Sequence, residues 1–206
     1  MFALVEDGSI TKFLSGNRGI TIGDNQYPKA IFTLWTKSER EAIGIYEVEM
    51  DISKFKDEKW YINTNITYSF GSGKVTGSYG DATAKAHADT LFTAQDETDG
   101  LGTEGDVKIE GLKTKLIKNV KAQANGLLSQ TDWYVTRKSE KSTAIPSNIT
   151  TWRNGIRSKQ AAMETSITNA SDTPALETLY TYVNTADEGD PEVIERPLGE
   201  FPELGS

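Results

Sequence analysis

The chain has 206 residues, 36% hydrophobic and 25% charged, with no cysteine, a single histidine and a formal net charge of −8. The length suffices for one domain or two small ones. The missing cysteines remove disulfide and thiolate chemistry, and the acidity argues against a nucleic-acid binder.

No apolar run approaches the roughly 18 residues of a membrane helix, so no membrane insertion is expected. Met1-Phe-Ala-Leu-Val reaches Glu6 too early for a signal-peptide core, which points to use in a cytosol or inside a larger particle. From the N-terminus, Phe2–Glu6 and Ser9–Phe13 flank Asp7-Gly8, the pattern of a tight hairpin between alternating runs. Ile20-Thr-Ile and Gln26-Tyr27-Pro28 around Gly23-Asp24-Asn25 predict a smaller one. Thr36–Gly44 carries two overlapping capping boxes, Thr36/Glu39 and Ser38/Glu41, and ends in Gly, predicting a two-turn helix before a strand from Ile45. Tyr61–Phe70 and Lys74–Tyr79 form the clearest strand pair, joined by Gly71-Ser72-Gly73. The stretch "GSGKVT" is no phosphate-binding loop, because Tyr68 and Val75 stand where that motif needs Gly and a hydroxyl.

Residues 81–94 are Ala-rich and predict a helix carrying His87, and 95–106 an acidic flexible loop. The carboxylates of that loop miss the spacing of a calcium loop, so it reads as solvated. From Ile109, apolar residues at Leu112, Leu116, Val120 and Leu127 recur at helical spacing, with a helix end near Asn125-Gly126. A short helix is expected from Thr131-Asp132, then a polar loop 138–146. Ser147 is the expected cap of a helix with the stripe Ile149, Trp152, Ile156, Met163 and Ile167. Pro174 opens a last helix, with Leu176, Leu179, Tyr180 and Val183 on its buried face. Residues 186–206 hold three prolines and little periodicity, which predicts an extended acidic tail, ordered only when something receives it.

The fold class is therefore α+β. A β-rich unit at 1–80 and a connecting helix and loop at 81–107 precede an antiparallel helical unit at 108–185 and a tail at 186–206. Charge divides along it: 108–141 holds eight Lys/Arg against three acids, a balance of +5. Residues 186–206 hold seven acids against Arg196, a balance of −6. Two such segments suggest an internal or intermolecular contact, or two separately solvated surfaces. No catalytic constellation is legible, since one histidine without oriented partners and no cysteine leave few nucleophile or metal options. Neither enzyme activity nor a cofactor nor a metal is expected.

One stretch carries more. A helix ending in Leu127-Leu128 is followed by Thr131-Asp132-Trp133, a polar loop with Pro146, and Trp152-Arg153-Asn-Gly-Ile156-Arg157. In order and spacing this resembles the C-terminal region of phage tail-fibre assembly proteins and related tail assembly chaperones. The openings "MFALVEDGSITKF" and "SEREAIGIYEVE" are similar to those of short accessory tail proteins. The chain departs from the pattern in its length, its strand pair at 61–79 and its acidic tail. The resemblance implies a non-catalytic assembly factor that binds a phage tail or tail-fibre protein in the host cytoplasm. Its alternative is a structural component retained in the virion tail or host-attachment apparatus.

Within the motif, Thr131 is expected to cap, Asp132 to sit at the positive helix end, and Trp133 to wedge between the long helices beside Trp152. Arg153 and Arg157 are expected to pair with Asp132 or Glu140. In the tail, Val193, Ile194, Leu198, Phe201 and Leu204 are the expected apolar anchors for a partner, which includes the basic segment of a neighbouring copy in a homo-oligomer.

Overall fold

A computed structural model describes residues 1–205. The chain is α+β and divides into two compact units, Met1–Thr83 and Ala84–Ser206.

In the first unit, β1 (Phe2–Glu6) and β2 (Ser9–Leu14) pair across Asp7-Gly8, both at positive φ, as a two-residue turn between right-twisted strands requires. The small hairpin of β3 (Ile20–Ile22) and β4 (Asn25–Tyr27) follows, with Asn25 already in the strand. Then come a single turn α1 (Ile31–Leu34), not foreseen from periodicity, and α2 (Lys37–Glu41). Of the two capping boxes, the Thr36/Glu39 pair forms: Glu39 N–H donates to Thr36 Oγ1, and Thr36 N–H to the Glu39 carboxylate. The helix has five residues, shorter than the two turns expected, and Gly44 at φ +78° turns the chain into β5 (Ile45–Asp51) as expected. There Gly44 lies so close to β1 that an added Cβ would stand 2.6 Å from Val5 O.

Past β6 (Tyr61–Ile62), β7 (Thr67–Gly71) and β8 (Lys74–Ser78) pair across Ser72-Gly73, again both at positive φ. Residues 63–66 stay outside the strand expected for them. The sheet order is β2-β1-β5-β8-β7, antiparallel except for β5 and β8. Ala3, Leu4 and Val5 are all buried, so β1 does not alternate. Leu4 joins Ile20, Ile31, Phe32 and Ile45 on one face, while Ala3 and Val5 meet Val75 on the other. Phe13 of edge strand β2 lies 4.6 Å, ring to ring, from Tyr68 of edge strand β7, so the sheet curls until its edges approach.

The second unit begins with β9 (Thr83–Ala84) at the boundary and β10 (Thr90–Leu91). The helix expected over 81–94 is absent. Ala86 O and His87 O instead accept the N–H groups of Leu112 and Lys113, so this extended segment terminates the next long helix. A helical 86–89 would turn those carbonyls back on itself, and tertiary pairing overrides alanine's propensity. The acidic stretch opens with α3 (Ala94–Thr98), capped by Thr93, before β11 (Val107–Ile109) pairs with β10.

The long helices are α4 (Leu112–Ser129) and α6 (Ser147–Asn169), separated by α5 (Asp132–Lys141). Lys113 bonds Thr168 O, Lys121 pairs with Glu164, and Arg153 bonds Leu128 O, which makes α4 and α6 antiparallel. Leu116, Val120 and Ala124 of α4 are buried, as are Ile149, Trp152, Ile156, Met163 and Ile167 of α6. Two boundaries move: α4 passes the expected stop at Gly126, and α5 consumes half of the expected loop. Ser147 is the first helical residue, behind Pro146, and does not cap. Helix α7 (Thr173–Tyr180) is capped by Asp172, whose carboxylate accepts from Ala175 N–H.

The tail is not a free extension. Strands β12 (Val183–Asn184) and β13 (Ile194–Glu195) pair as a hairpin, leaving Val183 exposed rather than in the core. The chain then folds back: Leu198 N–H bonds Leu179 O, and Trp152 Nε1–H bonds Pro202 O at 2.8 Å. Its receiver is its own helical unit.

Candidate functional site

The motif residues converge on the corner where α4 ends and α6 begins. Arg153, only 7% exposed, reaches from α6 with three bonds: Nη1 to Leu128 O at 2.8 Å, Nη1 to Thr131 Oγ1 at 2.7 Å, and Nη2 to Asp132 Oδ1 at 2.9 Å. Thr131 is buried, and its hydroxyl donates to Leu128 O rather than accepting from the helix behind it. The expected cap therefore does not form. A guanidinium carries five donors and no acceptor, so Thr131 supplies an oxygen to Arg153 and its own hydrogen to Leu128 O, in the last turn of α4, which its backbone N–H also reaches. Asp132 takes the remaining arm, the pairing expected for it. Arg157 does not join; it faces Asn154 Oδ1 at 3.4 Å, away from Asp132 and Glu140.

The two tryptophans part company. Trp152 is buried with Ala124 and Ile156, against Leu127, Leu128 and Phe201. Trp133, expected to be buried beside it, is 51% exposed. The interior of the corner is already filled by the Arg153 guanidinium and Thr131, and Trp133 at the second position of α5 projects outward. Its indole stacks on Tyr134 with ring centroids 3.7 Å apart, and the Arg137 guanidinium lies over both rings at 4.8 and 5.1 Å. None of the ten residues of α5 is buried.

Among the tail residues, Leu198 is 3% exposed and Phe201 packs on the Trp152 cluster, so these two anchors serve the chain itself. Val193, Ile194 and Leu204 remain exposed. The basic segment is likewise partly consumed. Lys108 pairs with Asp96, Lys118 with Glu110 and Lys121 with Glu164, while Lys113 bonds a carbonyl.

Carboxylates elsewhere act as caps. Asp89 accepts Gly111 N–H at 2.7 Å and Thr114 Oγ1–H at 2.7 Å, so it caps α4 from a distant segment. Those bonds hold its carboxyl below the ordinary carboxylate range. Asp96, held by Lys108 and by Thr93, falls to about 2. Gly111 is required there, since an added Cβ would stand 2.3 Å from Ala88 O. Nothing in the sequence pattern of 86–89 signalled this role; only the missing local cap at Gly111 hinted that α4 needed one.

Among the described residues no group of three His, Asp or Glu side chains is placed to hold a metal ion, and no helix is long and apolar enough to cross a membrane. Comparison of the chain with protein-family models, curated proteins and solved structures finds no match. What the arrangement offers chemically is a rigid hydrogen-bonded corner with an aromatic, cationic helix beside it in sequence.

Proposed function

We propose that the chain is a bacteriophage tail accessory protein that binds a tail or tail-fibre protein in the host cytoplasm, as a non-catalytic assembly factor. The observation that carries this is the corner. The residues of the resemblance that are far apart in sequence, Thr131-Asp132 and Arg153, form one hydrogen-bonded unit. A shared motif whose parts interlock supports common local architecture better than scattered identities would. The tail contributes to the partner contact through Val193, Ile194 and Leu204, the anchors its own fold leaves exposed.

Co-expression with the tail and tail-fibre proteins of the same phage tests this. A complex is expected before assembly, and mass spectrometry of purified virions is expected to find the chain gone. Failure to co-purify with any of them would overturn the proposal. Stoichiometric retention in virions would replace it with the structural-component alternative.

A further inference from the structure

The exposed face of α5 has no partner among the described residues. Trp133 and Val135 are 51% and 44% exposed. Arg137 Nε is shut off from solvent with no hydrogen-bond acceptor. Neither Arg137 nor Lys138 nor Lys141 makes an ion pair among the described residues, whereas Lys113, Lys118 and Lys121 of α4 are engaged. A stacked aromatic pair carrying an unpaired guanidinium is suited to apolar contact and a carboxylate together.

The complementary surface lies on the same chain. The hairpin spanning 183–195 carries Asp187, Glu188, Asp190, Glu192 and Glu195 and no basic residue. None of these five carboxylates is ion-paired among the described residues. Val183, Val193 and Ile194 are exposed between them. Among the described residues no hydrogen bond or ion pair joins the hairpin to α5.

We propose that the Trp133–Tyr134–Arg137 face of α5 docks the acidic 183–195 hairpin of a second copy of this chain. The aromatic pair covers Val193 and Ile194, and Arg137, Lys138 and Lys141 face the carboxylates. Unlike surfaces meet, so one copy offers its helix and the next its hairpin. Two such contacts close a two-fold dimer, and one at each end extends a chain of copies. Apolar cover supplies the attraction at short range, and opposite charge supplies register and salt sensitivity. This self-association does not rest on the phage partner proposed above, but it uses Val193 and Ile194 as well, so the two contacts exclude each other at any one hairpin.

Light scattering with size separation tests it on the full chain. Association is expected to tighten with concentration and to weaken at least about tenfold between about 50 and about 500 mM salt. Arg137→Glu with Lys138→Glu should leave the chain monomeric, as should Asp190→Lys with Glu192→Lys, since each then opposes like charges. The two variants mixed should associate again, because the reversed helix meets the reversed hairpin. Trp133→Ala, an exposed change that spares the core, should weaken association with an unchanged melting midpoint in dilute solution, where neither protein associates. A wild-type chain monomeric at every concentration and low salt would overturn the proposal. So would association indifferent to the reversals, or mixed variants that stay apart.

Discussion

Two tryptophans on one motif show how much a residue's role depends on what already fills the space beside it. Trp152 is enclosed by Ala124, Ile156, Leu127 and Phe201, and its indole N–H is spent on Pro202 O. Trp152→Ala should therefore lower unfolding free energy by about 3–5 kcal/mol, measured by denaturant titration. Trp133→Ala, on the open face of α5, should change it by less than about 0.5 kcal/mol. Equal losses would mean that the indole of Trp133 is packed after all. Arg153 is the third residue of this scale. Arg153→Met should cost about 1–3 kcal/mol, because it removes three hydrogen bonds in a largely buried corner, although the Thr131 hydroxyl keeps its bond to Leu128 O. Arg157→Met should be near neutral in the same titration, since its single long bond is at the surface.

At the scale of elements, helix ends explain most of the departures from simple periodicity. Helix α4 starts at a glycine that offers no side-chain cap, so Asp89 and two carbonyls arrive from an Ala-rich segment. That recruitment keeps 86–89 extended, although its composition favours a helix. Asp96 does similar work for α3 and adds an ion pair to Lys108. Both carboxyls have folded-state pKa values below their unfolded ones, so the native state stays ionised where the unfolded chain takes up a proton. The contribution of Asp96 is complete above the ordinary carboxylate value of 3.8 and fades as pH falls toward about 2, and that of Asp89 is likewise lost on the acid side. Denaturation midpoints of the wild type should therefore drop between pH 4 and pH 2 more than those of Asp96→Asn, whose cap no longer titrates. Parallel curves for the two proteins would show that Asp96 contributes no such linkage.

For the whole molecule, the fold-back of the tail is the largest change from an extended acidic end. Leu198 sits 3% exposed beside Leu179, Arg196 holds Glu200, and Pro202 accepts from Trp152. Leu198→Ala should cost about 2–4 kcal/mol, a core-sized loss from a position only eight residues before the end of the sequence. Amide exchange should quicken at 196–202 in this variant. A loss near zero, with exchange unchanged, would mean that the tail is not part of the folded unit. Proline at 197 and 202 helps such a segment dock, because it has less freedom to lose.

Sequence pattern alone was sufficient for the α+β class, the Asp7-Gly8 hairpin, the Thr36 capping box and the buried stripe from Ile149 to Ile167. Each depends on contacts within a few residues or on one periodic face, and local rules carry that information. It offered the Arg153–Asp132 pair as one of several, beside Arg157 and Glu140, but read Thr131 as a helix cap and missed its bond to Arg153. It could not say which tryptophan would be buried, what would cap α4, or where the tail would lie. Those depend on groups tens of residues apart competing for one space or one hydrogen bond: Arg153 for the corner, Asp89 for Gly111 N–H, Pro202 for the Trp152 indole. The winner of such a competition is set by which side chains the packed helices bring within reach, and no local pattern records that.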